Sequence, residues 1–180
     1  MVVGLSVILD PVWWQSLGNI IFSQYGLIGL FIFSIIGNAT IFLPVPVDIL
    51  VFIIAPLAGN PLMVLLIGIV SGAGAAIGEL SGYAIGAMGI RGFETASKKK
   101  VVSVEEVQRR LKEKGWWVVF FGALLPFPFD IIGIAAGLIK YSLVSFFTAA
   151  LAGKLIRYCL TAFASYYGIE LIKIIFLGGG

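Results

Sequence analysis

The sequence predicts an all-α polytopic membrane protein, an inverted repeat of a re-entrant, proline-containing hairpin followed by a transmembrane helix. Three observations predict it. The 180 residues are 60% hydrophobic and 12% charged, with a mean hydropathy of +1.09, where soluble domains have roughly 45–50% and about 25%. At about 20 residues per membrane helix, the apolar stretches leave room for about four to six membrane segments. The pattern Pro-x-Pro-x-Asp occurs twice, at Pro44-Val45-Pro46-Val47-Asp48 and Pro126-Phe127-Pro128-Phe129-Asp130, 82 residues apart.

Composition removes several chemistries. The chain has no histidine, which excludes His-based triads and His-dependent lipid phosphatases. The single Cys159 forms no intrachain disulfide and no Cys/His metal cluster. No D-x-x-D pair supplies a local Mg²⁺ site. An enzyme is therefore not expected, and neither is a cofactor. The net charge of +3 gathers in one loop and gives no reason to expect a nucleic-acid partner.

The elements follow in order. Residues 1–16 lack a basic n-region, and Asp10-Pro11 interrupts the apolar run, so no removable signal peptide is expected. Trp13 and Trp14 suit the membrane interface. Leu17 to Gly37 is long enough for one span. Residues 38–58 contain Pro44, Pro46 and Asp48, a poor lipid-facing helix because proline removes a donor and constrains the residue before it. Irregular backbone at membrane depth survives only under cover of protein or water, which predicts a re-entrant hairpin. Residues 61–90 read as one long helix, with Gly74, Gly78, Gly82 and Gly86 along one face for close packing.

Residues 91–114 hold eight basic side chains against four glutamates, a cytoplasmic loop by the positive-inside rule. Ser103-Val104-Glu105-Glu106 is a capping-box pattern, and Val104, Val107 and Leu111 share a face. A short amphipathic helix on the anionic inner leaflet is expected there. Trp116-Trp117 mark an interface, the second proline hairpin follows, and a last long helix runs from Ser142 to Tyr167. Ile169 to Leu177 is too short to span alone. The organisation is a single membrane domain, with repeat 1 at about 38–90, the linker at 91–114 and repeat 2 at about 115–168.

A second correspondence supports the repeat. Gly78-Glu79-Leu80 with Tyr83 matches Gly153-Lys154-Leu155 with Tyr158, 75 residues on. One spanning helix separates the hairpins, so they enter from opposite sides and their tips can meet near the midplane. Transporters use this architecture, and paired proline-interrupted segments point to their sites.

Asp48, Glu79, Asp130, Lys154 and Arg157 all fall in apolar context, where each charge needs a partner or water. One reading is structural: three carboxylates and two cations neutralise each other within the bundle. The other is a polar cavity lined by Tyr83 and Tyr158. There Arg157 and Lys154 hold a phosphate, Arg157 as a bidentate fork. Desolvation strengthens a carboxylate's hold on its proton, so Asp48, Glu79 and Asp130 are candidate proton carriers. Lys140 is expected to be a snorkelling anchor.

These motifs together (hairpins with Pro-x-Pro-acid, G-x-x-x-G-Y-x-x-G from Gly78 to Gly86, Lys114-Gly115 before the second hairpin, G-K-x-x-R-Y from Gly153) resemble the DedA family. Its members are also called SNARE-associated Golgi or VTT-domain proteins, and the resemblance covers roughly residues 20–170. It implies two opposed re-entrant hairpins and a role in moving lipids between leaflets: polyprenyl-phosphate recycling in prokaryotic members, phospholipid scrambling in eukaryotic ones. Many bacterial members carry an acid where this chain has Ala39, and G-R-F-I-P-x-x-R where it has Gly122 to Asp130 without arginine. It looks more like the YqaA-like branch. Family roles therefore carry over to Asp48, Glu79 and the prolines, and a phosphate would fall to Arg157 and Lys154.

The expected function is translocation of a phosphate-bearing lipid across the cell membrane, with the cycle open to proton coupling. The expected partners are membrane lipids (polyprenyl phosphate or phospholipid), protons and further copies of the chain. Two alternatives stand beside it: a proton-coupled carrier of a small solute, and a membrane scaffold whose glycine ridge binds another helix.

Overall fold

The computed structural model describes residues 26–39, 47–88, 98–125 and 128–177, with Val12 and Ser16 singly; for 98–108 and 169–177 it gives the backbone path. Among the described residues every regular element is helical. Two helices, Pro61–Ala87 and Leu143–Gly168, are long and apolar enough to cross a membrane. Pro44, Pro46 and Pro126 lie outside the described residues, as do Trp13, Trp14 and the first part of the expected span, Leu17 to Tyr25.

Helix α1 is Gly26–Ala39 and α2 is Val47–Ile54, continued by a 3₁₀ turn at Ala55–Ala58. Pro56 suits the first turn of that segment, where no donor is lost. Gly59 takes the left-handed conformation (φ 72) that closes it. Asn60 then caps α3, its Oδ1 accepting the Met63 N–H at 2.9 Å, with Pro61 at the first helical position. Helix α3 is Pro61–Gly78 and α4 is Leu80–Ala87.

The expected helix over 61–90 is observed as one apolar rod from Pro61 to Ala87. At Glu79 it loosens by a turn without leaving helical dihedrals (φ −63, ψ −17): the Glu79 N–H reaches Ala75 O at 3.0 Å, and Tyr83 N to Glu79 O lengthens to 3.5 Å. Gly78 and Gly82, both poor helix formers, permit this loosening.

Helix α5 runs Lys98–Leu124 with one non-helical residue, Lys114 (φ −134, ψ 28). Lys114 thus parts this element into two helices, 98–113 and 115–124, and the expected boundary at 114/115 falls at that kink. Pro128, extended at ψ 91, precedes α6, Phe129–Leu138. Helix α7 extends from Leu143 to Leu177, past the expected end at Tyr167. Gly168 alone does not stop it, since one glycine costs only about 1 kcal/mol and no proline follows.

Helix α3 packs between α1 and α7, and α4 packs on α6; α5 packs on α7 and α6, and α2 lies against α7. One apolar cluster joins Leu30, Leu50, Ile54, Val64, Ile67 and Tyr158. A second joins Val119, Ala123, Phe129, Ile132 and Phe146. Two glycines set the helix spacing in parallel ways. A Cβ on Gly78 would crowd Asn38 Cβ and Ala39 N of α1, at 2.9 and 3.0 Å. One on Gly153 would crowd Ala123 Cβ and Leu124 N of α5, at 2.8 and 3.1 Å. Gly153 stands 75 residues after Gly78, and its neighbours each stand 85 after theirs.

Helix α6 ends in a Schellman-type turn. Tyr141 N–H reaches Ala136 O, Lys140 N–H reaches Gly137 O, both at 2.9 Å, and Lys140 takes φ 53. Lys140 is exposed, as a snorkelling anchor would be, but its backbone role is the more definite. A left-handed conformation costs a residue with a Cβ about 1–2 kcal/mol. Lys140→Gly is expected to stabilise the protein by about 0.5–1 kcal/mol, after glycine's larger unfolded-state entropy is subtracted. Thermal unfolding in detergent measures this; no rise in stability would show that the turn is not strained.

Candidate functional site

Glu79 and Lys154, matched positions 75 residues apart in the sequence, bind each other directly. Lys154 Nζ lies 2.5 Å from Glu79 Oε1, and their side chains keep 4% and 5% of their exposure. Lys154 Nζ also donates to Asn38 Oδ1 at 3.2 Å and sits 5.2 Å over the Phe129 ring. Asn38 in turn donates through Nδ2 to Ser34 O at 2.9 Å. The ammonium therefore draws α1, the α3–α4 junction and α6 onto α7. A buried pair holds only when its remaining hydrogen-bonding groups are also satisfied, which Asn38 does for Lys154.

The second pair is more open. Arg157 grips Asp48 as a fork, Nε to Oδ1 at 3.0 Å and Nη2 to Oδ2 at 2.7 Å. Its Nη1 donates to the Leu125 carbonyl at 3.1 Å. One guanidinium thus ties the start of α2 to the end of α5, the two segments that flank the proline motifs. The side chains keep 18% and 34% exposure, enough for a ligand to reach them. A cleft of about 380 Å³ opens there, lined by Asp48, Leu124, Arg157, Leu160 and Thr161.

The corresponding place in the other half is sealed. Counting 75 back from Arg157 and Thr161 gives Gly82 and Gly86; counting 82 on from Asp48, Val51 and Ala55 gives Asp130, Gly133 and Gly137. These residues form the α4–α6 seam. A Cβ on Gly86 would press within 2.9 Å of Ile134 Cα, and one on Gly137 within 2.6 Å of Ala87 N. Only at Gly82 is there ordinary room, with Asp130 O and Gly133 Cα at 3.8 Å. Register differs as well. Ser165 Oγ donates to Phe52 O, whereas the counterpart of Phe52, Ile134, faces Gly86, whose own counterpart is Thr161. Helix α2 therefore lies one turn further along α7 than α6 does along α4, roughly 6 Å at 1.5 Å per residue.

The two cations expected to share one phosphate are thus separated: Arg157 faces the cleft, and Lys154 is enclosed with Glu79. Asp130 stands half-buried in the first turn of α6, close enough that its charge acts on Glu79. Neither tyrosine expected on the cavity wall lines the cleft. Tyr83 donates to Tyr141 O at 2.5 Å and packs on Phe146, and Tyr158 is buried beside Asn38, close enough to Asp48, Glu79 and Arg157 to feel their charges. Sequence reasoning missed Asn38, whose signal was an amide in an apolar helix, and Thr161, whose partners only the fold reveals.

A strongly apolar chain whose described elements are all helical, and which joins its own charged side chains inside the helix packing, is a membrane-associated protein by class. Residues 45–167 match the VTT domain, and the chain belongs to this family, the DedA or SNARE-associated family. The family is membrane-associated and is not known for enzymatic activity. No curated protein and no solved structure matches the chain.

Proposed function

We propose that the protein moves a phosphate-bearing lipid, polyprenyl phosphate or a phospholipid, between the leaflets of the cell membrane. The observation that carries this is the Arg157–Asp48 fork at the mouth of a cleft. A phosphate oxygen pair fits the same fork geometry as the carboxylate, so an arriving headgroup can replace Asp48 on Arg157. The released carboxylate then needs a counter-charge, which a proton supplies, and that gives the cycle a route to proton coupling. Large apolar side chains on the exterior, among them Ile28 at 74%, Leu62 at 67% and Val144 at 72% exposure, suit contact with acyl chains better than with water.

In this reading the chain is a multi-pass inverted repeat, the segments flanking the two proline motifs meet at Arg157, and the basic segment 91–114 faces the cytoplasm. The open α2–α7 cleft and the sealed α4–α6 seam are then two states of one kind of interface. Alternation exchanges them: α2 slides by about one turn while the seam parts, the sort of discrete ratchet that packed helices permit.

The test is leaflet exchange in liposomes, comparing labelled polyprenyl phosphate with phosphatidylcholine, with and without a pH gradient. Wild type is expected to move at least the first. Arg157→Gln and Asp48→Asn are expected to fall to the rate of protein-free vesicles while melting near wild type. Rates unchanged in folded variants would remove the fork from the path. No lipid movement by wild type would overturn the proposal in favour of a solute carrier or a scaffold.

A further inference from the structure

Outside the cleft, the feature with the clearest chemistry is the kink in α5. At Lys114 the helix changes direction, and the concavity this makes is a hollow of about 320 Å³ lined by Arg109, Arg110, Glu113, Lys114 and Val118. Three cations and one carboxylate give its wall a net charge of +2. None of these residues lines the Arg157 cleft.

The character of the helix reverses across the kink. On the N-terminal side Arg109, Arg110, Lys112, Glu113 and Lys114 are all exposed, while Leu111 is buried. On the C-terminal side the exposed residues are aromatic: Trp117 at 56% and Phe121 at 50%, stacked at 5.9 Å and 26°. Trp116 is held in place by stacking on Phe120 at 5.2 Å and donates to Thr148 Oγ1 at 3.4 Å. Gly115 permits the junction, because a Cβ there would strike the Tyr141 ring at 2.6 Å. Indole rings settle at headgroup depth in bilayers. The aromatic side therefore marks where acyl chains begin, and the cationic hollow stands at the level of the phosphates.

The two sides of the kink shape the hollow further. Arg110 lines it from before the kink and Val118 from after it, with Lys114 at the bend. An anion between Arg110 and Lys114 would thus have an apolar floor below it. A free anion gains nothing from such a floor, whereas a lipid does, because its chains leave along Val118 and Phe121. Glu113 adds an acceptor beside the cations, suited to a hydroxyl carried by the same headgroup.

From this geometry we infer that the α5 kink is a binding site for one anionic phospholipid, its phosphodiester held by Arg109, Arg110 and Lys114. The bound lipid is a resident of the membrane rather than the transported molecule. It fixes the angle at which 115–124 meets α7, the contact that Gly153 makes close. The inference stands whether or not the protein transports lipid.

Native mass spectrometry of the full chain in neutral detergent tests it, with phosphatidylglycerol, phosphatidylcholine and inorganic phosphate as probes. One phosphatidylglycerol is expected to stay bound, and phosphatidylcholine is not. Arg110→Gln and Lys114→Gln are each expected to weaken binding about fivefold, the usual worth of one basic residue at a charged membrane surface. Lys112→Gln, exposed on the same helix but outside the hollow, is the control and should leave binding unchanged. An equal loss in Lys112→Gln would mean diffuse attraction and overturn the site. So would equal retention of the two lipids, or displacement of the lipid by inorganic phosphate at millimolar concentration. All these side chains are exposed, so the variants are expected to fold, and their melting curves verify it.

Discussion

Glu79→Leu is expected to cost about 3–5 kcal/mol of stability, because it leaves the Lys154 ammonium buried without its counter-charge. Lys154→Met is expected to cost a similar amount by stranding the Glu79 carboxylate and the Asn38 amide oxygen. The double variant Glu79→Leu/Lys154→Met should cost much less than the sum. Replacing both members of a buried pair with apolar residues is often close to neutral, and neighbours in one network couple by about 0.5–3 kcal/mol. Thermal unfolding of the four proteins in detergent completes the cycle. Additive losses would show that the pair is not coupled and that each residue acts through other contacts. The pair's place makes the effect large: Lys154 touches α1, the α3–α4 junction and α6 at once, and 4–5% exposure leaves water no route to either charge.

The same pair shows how far the sequence could be read. The match of Gly78-Glu79-Leu80 with Gly153-Lys154-Leu155 put an acid and a base at corresponding positions, and opposite charges in apolar surroundings had to find partners. That these two would choose each other, and that Arg157 would choose Asp48, follows from helix packing that one chain's periodicity does not encode. Hence the expectation of Arg157 and Lys154 acting on one phosphate did not anticipate their separation. The long helix over 61–90 was legible from its apolar length, whereas the loosened turn at Glu79 was not, because glycines at 78 and 82 read equally as a packing ridge and as a weak point. Helix α7 outruns its expected end at Tyr167 because that end rested on a membrane-span length, and Gly168 by itself does not end a helix. Composition and the Pro-x-Pro-x-Asp motifs pointed to helices with an interruption near Asp48 and Asp130, and α2 and α6 each begin at those motifs.

Locking the α4–α6 seam with a disulfide is expected to stop lipid movement altogether. Gly82 and Gly133 are suited to this, since a Cβ on Gly82 stands 3.8 Å from Gly133 Cα and one on Gly133 3.5 Å from Gly82 Cα, so cysteines there adjoin across the seam. In a Cys159→Ala background the pair Gly82→Cys/Gly133→Cys contains the only two thiols, as Cys159 is the chain's single cysteine. The oxidised protein should melt no lower than the reduced one, because the cross-link joins backbones already in contact. Its leaflet-exchange rate should fall to that of protein-free vesicles and return on reduction. The physical reason is the asymmetry between the halves. Arg157 and Thr161 line a cleft where the start of α2 and the end of α5 meet α7, whereas Gly82 and Gly86 let α6 close on α4 with no side chain between them. If the cleft is the entrance, the path to the other leaflet needs that seam to part, and it cannot part through a covalent bond. Equal rates before and after reduction would show that the headgroup passes without opening the seam, and would leave a single fixed path along Arg157. A reduced protein that moves no lipid would instead count against transport itself, so the two failures are distinguishable in one experiment.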